Sequence, residues 1–458
     1  MSPADSHLTV QCLAALGCDA SAMAKLSYTG TGALPSIFPV TELAAASTAV
    51  AALAIADLKQ NHGEASVPVS VDRRLAGWWF MPSVQPIGWT IPAPWDAIAG
   101  DYPCRDGWIR LHTNAPNHRA AAQRVLGNHQ DKAAMALAVA AWDAEALETE
   151  IVAAGGCAAQ MRSEAQWRQH PQGLAVADEP IVHRWHTPCA ATTNAAYLPE
   201  RPLQGIRVLD LTRILAGPIA TRFLAGFGAD VLRIDPPGWD EPAVAPDVTP
   251  GKHCARLNLR EAPDRHRFEE LLAGADIILH GLRPDALEGL GLGDQVRRRI
   301  APALIDVRLD AYGWSGPWAS RRGFDSLVQM SSGIAHKGMH WQQSDRPCPL
   351  PVQALDYATG YLMAAAAVQG LIAREQGTGA LTARLSLART AMLLLDQSPA
   401  ASEAAPAAIH DADYADAIEA TSWGPARRLR PPLAVGNAPM QWDFGARQLG
   451  SDTARWQD

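Results

Sequence analysis

The stretch GIRVLDLTRILAGPIATRFLAGFGADVLRIDPP, from Gly205 to Pro237, decides how this chain is read. It presents a strand, a tight loop, a helix and a second strand in one uninterrupted run. Ile206, Val208, Leu209 and Leu211 make a short, mostly apolar strand, and Val231 to Ile234 supply the second. Between them, Pro218 sits where a first helical turn tolerates a missing N–H. The loop TRILAGP joins a chain turn to a helix N-terminus, the usual way a fold offers backbone N–H groups to an anion. The run therefore predicts a nucleotide-type βαβ unit for an anionic, nucleotide-like ligand, beginning near mid-chain.

Beyond Asp235 the alternation continues. Strands are expected at Ala255 to Leu259, Ile277 to Leu282 and Leu304 to Leu309, with a helix through Phe268 to Leu272. Such alternation implies an α/β fold, a doubly wound and mostly parallel sheet covered by helices. Upstream, Tyr102 to His112 reads as a hairpin turning at Asp106-Gly107, followed by helical patterns over His118 to Leu126 and Lys132 to Ala153. That is a smaller α+β unit. Composition shifts at Trp78 to Pro103, His183 to Gly205 and Ser398 to Ser422 suggest the boundaries.

With 458 residues, 48% apolar and 19% charged, the chain has room for two or three domains. Lys+Arg 39 against Asp+Glu 47 leaves a formal charge of -8, which argues against a general binder of nucleic acid or anionic membranes. An anionic ligand must then meet local positive charge. The seven cysteines are scattered with no CxxC pair, a pattern suited to reduced thiols. The opening MSPADSHLTVQCLAALG lacks the basic and apolar regions of a signal peptide, and the Ala-rich runs read as too short to span a bilayer. A soluble, cytoplasmic protein is expected.

Ser36 to Arg73 and Ala354 to Thr390 read alike, each an Ala-rich helix, a Gly-containing turn and a strand. Matching Val50 and Leu53 with Val368 and Leu371 places Phe38 opposite Asp356, so in that register the early copy lacks the acid. Ala-rich helices resemble one another easily, and both duplication and chance likeness stay open.

Several segments in series resemble the family III CoA-transferases, the group of formyl-CoA and carnitine CoA-transferases and α-methylacyl-CoA racemases. They are GIRVLDLTRILAGP, the GAD of Gly228 to Asp230 with VLRIDPP, GKHCARLNL, ADIILHGLRPDALEGLGL, GWSGP, GFDSLVQMSSG and LDYATGY. Together they resemble the family's large domain over about 200 residues from Leu203. YPCRDGWIRLHT and RSEAQWRQHPQ are similar to its small domain, and Arg427 to Asp458 to its closing tail, so here the later half comes first. The resulting division is 1–75, resembling the end of a large domain; 76–190, the small α+β domain; 201–400, a Rossmann-like CoA-binding domain; and 401–458, linker and tail.

Asp356 falls between Pro349 to Leu355 and a long apolar helix, where the macrodipole favours a carboxylate. Taken alone it reads as a helix cap; the resemblance implies the catalytic aspartate. A carboxylate nucleophile would attack an acyl-CoA thioester and pass through a mixed anhydride to an aspartyl-CoA thioester. No metal and no tightly bound cofactor is implied; the substrates are an acyl-CoA donor and a small carboxylic acid acceptor, and the assembly a homodimer. The racemase branch carries a GHD motif where this chain has Gly323-Phe324-Asp325, and phenylalanine exchanges no proton. Transfer is thus favoured, with an acyl-CoA racemase or a CoA-binding paralogue without turnover as alternatives.

For CoA the resemblance points to Arg213, Ala216, Gly217, Pro218, Leu257, Arg260, Gly281, Leu282, Arg283 and Arg322. Guanidinium groups suit phosphates, although any one of these arginines alone reads as a solvated surface residue. Position 281 is Gly where family members carry Asn, and Asn258 replaces an acid. His336 and His340 read as loop histidines, and Ser331 to Pro351 as a loop, either a cover over Asp356 or ordinary surface. A nicotinamide dehydrogenase would use Asp235 on a ribose, but TRILAGP holds no GxGxxG.

Overall fold

In a computed structural model describing residues 3–193, 196–283, 285–400 and 403–457, the chain opens with a β–α–β unit. β1 (Leu26–Thr29) and β2 (Val69–Asp72) pair in parallel, joined by a 22-residue helix, Val40–Asn61. After β3 (Val84–Pro86) comes the small domain, where β4 (Gly100–Pro103), β5 (Trp108–Leu111) and β6 (Ala158–Gln160) form an antiparallel sheet. Its hairpin closes through the Cys104 N–H on the Gly107 carbonyl at 2.8 Å. The single helical pattern expected over Lys132 to Ala153 is two helices, Lys132–Val139 and Ala144–Ala153. The hairpin turn fixes the break, since Asp106 accepts the Ala144 N–H at 2.8 Å.

β7 (His183–Thr187), β8 (Arg207–Leu211), β9 (Asp230–Asp235), β10 (Lys252–Arg256), β11 (Ile277–His280), β12 (Ile305–Asp310) and β13 (Ala380–Ser386) make one sheet. Its order is β10-β9-β8-β11-β12-β13-β7, parallel except for β7. The doubly wound expectation holds. The order reverses between β8 and β11, and ligands of open α/β sheets bind in the crevice outside the carboxyl ends at such a switch point. Strand bounds shift by a few residues from those expected. Leu257 to Leu259, for example, lie beyond the β10 ladder, and their apolar character serves a cavity wall instead.

Two expected connectors are structural. The polar run from His183 begins as β7, an edge strand that lies half in solvent and so carries no apolar signature. The closing segment supplies β14 (Glu419–Thr421), β15 (Gly424–Arg428) and β16 (Leu433–Val435), which complete sheets begun by β3 and β2. Residues 1, 2, 401, 402 and 458 of the first and last segments lie outside the described residues.

The two Ala-rich helices, Val40–Asn61 and Ala354–Glu375, are equally long and pack against each other at the centre. The early one has the length and apolarity to cross a bilayer, contrary to the expectation that such runs fall short. Its apolar window is 94% buried within the protein. Aligned end to end, Val40 with Ala354 and Asn61 with Glu375, the two copies also match Gly63 with Gly377, both at positive φ, and Asp72 with Ser386. Asp72 and Ser386 each end a strand and cap the next helix, at 2.9 and 3.1 Å. So much shared detail supports duplication. The register is one helical turn away from the one read from composition, because alanines match equally well a turn apart. Glu42, not Phe38, is the counterpart of Asp356. It is held at 2.9 Å by Arg73, whose own counterpart is Leu387.

Candidate active site

Asp356 is the third residue of helix Ala354–Glu375, near the switch-point crevice. It does not cap that helix. Asp325 does so, its Oδ2 accepting the N–H groups of Leu355 and Asp356, each at 3.0 Å. Asp325 Oδ1 takes the Gln329 side-chain amide, whose carbonyl in turn accepts the Leu350 N–H at 2.7 Å. The Asp356 carboxylate instead receives the backbone N–H of Ala216. A side chain at Gly360 would run into the Ala216 carbonyl, so this glycine lets the two helices cross closely enough. Burial first, then the Asp325 charge, raise Asp356 well above the usual carboxylate range, against the Ala216 N–H. Asp325 is pushed by burial to about 6, opposed by its N–H and amide donors. Of these two buried acids Asp325 holds a charge more readily, because two N–H groups and a side-chain amide donate to it whereas Asp356 receives one N–H.

The TRILAGP loop is built around that contact. Ile214 adopts a φ of 64°, strained for a β-branched residue, and is held by its N–H on Glu241 at 2.8 Å. Beneath it, buried Asp210 accepts the Thr212 N–H at 2.9 Å, and Lys252 reaches Asp210, the Pro218 carbonyl and Thr221 at 3.2, 2.9 and 2.6 Å. Burial lowers the Lys252 ammonium to about 8, against the pull of Asp210. Ala216, Gly217 and Pro218 are buried in the first helical turn. They border neither cavity described below, and of the three Ala216 donates its N–H to Asp356.

A cavity of about 470 Å³ ends on Asp356 and is bordered by Arg213, Gly281, Leu282, Arg283 and Arg322. A second, of about 480 Å³, reaches Leu257 and Arg260, and the two share Arg213 and Leu282. Among the described residues Arg213, Arg260, Arg283 and Arg322 form no ion pair with a carboxylate. Arg213 lies over the Trp239 ring at 4.6 Å with its Nε buried and unpartnered. Four unpaired guanidiniums along one groove suit a phosphorylated ligand. Asp235 is fully buried and already paired with Arg233 at 2.8 Å, which closes it to a ribose hydroxyl.

Sequence reasoning missed other groups in this cavity. Asn117 and His118 come from the small domain of the same chain. That domain is anchored by buried Glu148, paired with Arg162 and with Arg321 of the large domain at 2.5 and 2.8 Å. The Phe324 ring stacks flat on His112, centroids 3.7 Å apart. No spacing signal links residues so distant in the chain. Asp310, which ends β12, was also passed over; burial pushes its carboxyl up to about 8, against the N–H groups of Tyr312 and Gly313. The expected loop over Ser331 to Pro351 contains a helix, Ile334–Trp341, so His336 and His340 are helical, with rings 4.4 Å apart. No group of three metal-ligating side chains occurs among the described residues.

A parallel sheet whose switch-point crevice carries these arginines and ends on a buried carboxylate has the chemistry that suits an anionic, nucleotide-sized ligand. A family model described as CoA-transferase family III matches residues 203–421. An acetyl-coenzyme A transferase of Hypoxylon pulicicidum is 33% identical over 42% of this chain and 34% of its own length. The human succinyl-CoA:glutarate CoA-transferase is 32% identical over 38% and 42%. A solved structure from Mycobacterium tuberculosis is 32% identical, covering 42% of this chain and 56% of its own, with a TM-score of 0.39. The chain spans a third to a half of the length of these two curated relatives.

Proposed function

We propose that this protein transfers coenzyme A from an acyl-CoA to a small carboxylic acid, with Asp356 as the covalent nucleophile. The observation that carries this reading is the buried Asp356 carboxylate at the end of a groove whose four arginines form no ion pair with a carboxylate among the described residues. The Asp356 carboxylate attacks the thioester carbonyl and expels CoA thiolate, leaving a mixed anhydride. The thiolate then attacks the aspartyl carbonyl, releasing the donor acid and leaving an aspartyl-CoA thioester. The acceptor carboxylate attacks this thioester, forms a second anhydride and frees the thiolate again. Attack of thiolate on the acceptor's acyl carbon gives the new acyl-CoA and returns Asp356 as carboxylate.

Arg213, Arg260, Arg283 and Arg322 would neutralise the CoA phosphates, and the α-proton chemistry of a racemase has no imidazole at position 324. The small-domain wall of the pocket, Asn117 and His118, comes from the same chain. Incubation with a panel of acyl-CoAs and acids, followed by mass spectrometry of hydroxylamine-treated protein, tests the reading. Transfer and a modified Asp356 are expected in the wild type, and neither in Asp356→Ala. Equal rates in that variant would sink the mechanism, and CoA binding with no turnover would make the protein a CoA-binding paralogue.

A further inference from the structure

We infer that His118, carried by the small domain, is the residue that receives the carboxylate of the acceptor acid. The inference rests on the transfer reaction proposed above and assigns the site's acid-binding wall. His118 stands in the first turn of an eleven-residue helix, Pro116–Leu126, and borders the same cavity as Asp356. The arm of the groove that reaches Leu257 and Arg260 is bordered by none of Asn117, His118, Phe324 and Asp356. A CoA whose nucleotide fills that arm brings its sulfur to Asp356. Acyl and acid groups are then left the space walled by Asn117, His118 and Phe324.

The side chain is prepared for a polar ligand. His118 is only 6% exposed, yet its Nδ1 has no partner among the described residues. A buried polar atom left unpaired costs about 1–3 kcal/mol, so a ligand that satisfies the imidazole gains by it. The ring is steadied by an edge contact with Phe324, centroids 5.9 Å apart. Arg322 borders the same cavity and has no carboxylate partner among the described residues, so an incoming carboxylate meets a cation and an imidazole together. Burial, and then Arg322, lower the imidazole to about 4, which keeps it a neutral hydrogen-bonding group at pH 7.

The test separates acid binding from CoA binding. In His118→Ala the KM for the acceptor acid is expected to rise about tenfold, while CoA affinity stays within about twofold of the wild type. His118→Gln, which restores an N–H donor, should recover most of the loss. An unchanged acceptor KM in His118→Ala, or CoA affinity falling in step with it, overturns the assignment. If the wild type transfers CoA to no acid, the function proposed above has failed, and the inference is decided without turnover. Glutarate added to the CoA-bound, histidine-labelled protein then either shifts the imidazole resonance that His118→Gln lacks, which supports it, or leaves that resonance in place, which overturns it.

Discussion

The two halves of the duplication meet at the centre of the molecule and differ in what surrounds their acids. In the later copy Asp356 faces a cavity, its helix capped by Asp325 and its carboxylate touched by the Ala216 N–H. In the early copy Glu42 sits at the same helical position but is closed in by Arg73, 2.9 Å away. The residue that replaces Arg73 in the later copy is Leu387, which borders the cavity. One substitution pattern therefore gives a reactive, protonatable acid and the other a neutralised structural pair. In the proposed reaction, the carboxylate that acts as nucleophile is the one from which the protein withholds a counter-ion.

The sharpest way to break this comparison is to ask where chemistry occurs. Asp356→Ala is expected to lower transfer roughly 1000-fold, with hydroxylamine modification in the wild type confined to the peptide containing Asp356. A modified Glu42 would show that the early copy is not silent. Next comes stability. Glu42→Ala leaves a buried guanidinium short of its partner and should cost about 3 kcal/mol in denaturant unfolding, whereas the pair Glu42→Leu with Arg73→Leu should recover much of that loss. Equal costs for single and double variants would mean that the ion pair is not what holds the copy shut.

A smaller effect concerns proton sharing in the later copy. The Asp325 charge helps to raise Asp356, and the nucleophile must be ionised, so activity should increase with pH as Asp356 loses its proton. Asp325→Asn removes the like charge and should move that rising limb to lower pH. A limb that stays in place would detach the two acids from each other. The smallest expected effect is none: because the small domain completes the site within one chain, activity per chain should not change on hundredfold dilution. A loss on dilution would show that a second copy supplies part of the site.

Much of the large domain was legible in the sequence, since β8, β9 and the helix between them lie within 29 residues and carry their apolar patterns openly. Asp356 and four arginines of the groove were also found from motifs in order. The register of the repeat was not, because alanine carries no identity from one helical turn to the next. Nor were His118 and Asp310, which enter the pocket through packing and strand ends rather than through any spacing. Ala216, expected beside the ligand, is found with its N–H on the Asp356 carboxylate.

By itself the sequence determined the alternating strands and helices, hence the mostly parallel sheet, and the likeness of residues 203–421 to CoA-transferase family III, because these follow from local periodicity and from motifs close together in the chain. Only the tertiary structure decided that Asp325 caps the helix and frees Asp356, that Glu42 is locked by Arg73, and that a small domain placed first in the chain closes the pocket of the domain that follows. Each of these depends on groups brought together across tens to hundreds of residues, where burial and counter-ions, rather than residue type, set what a carboxylate does.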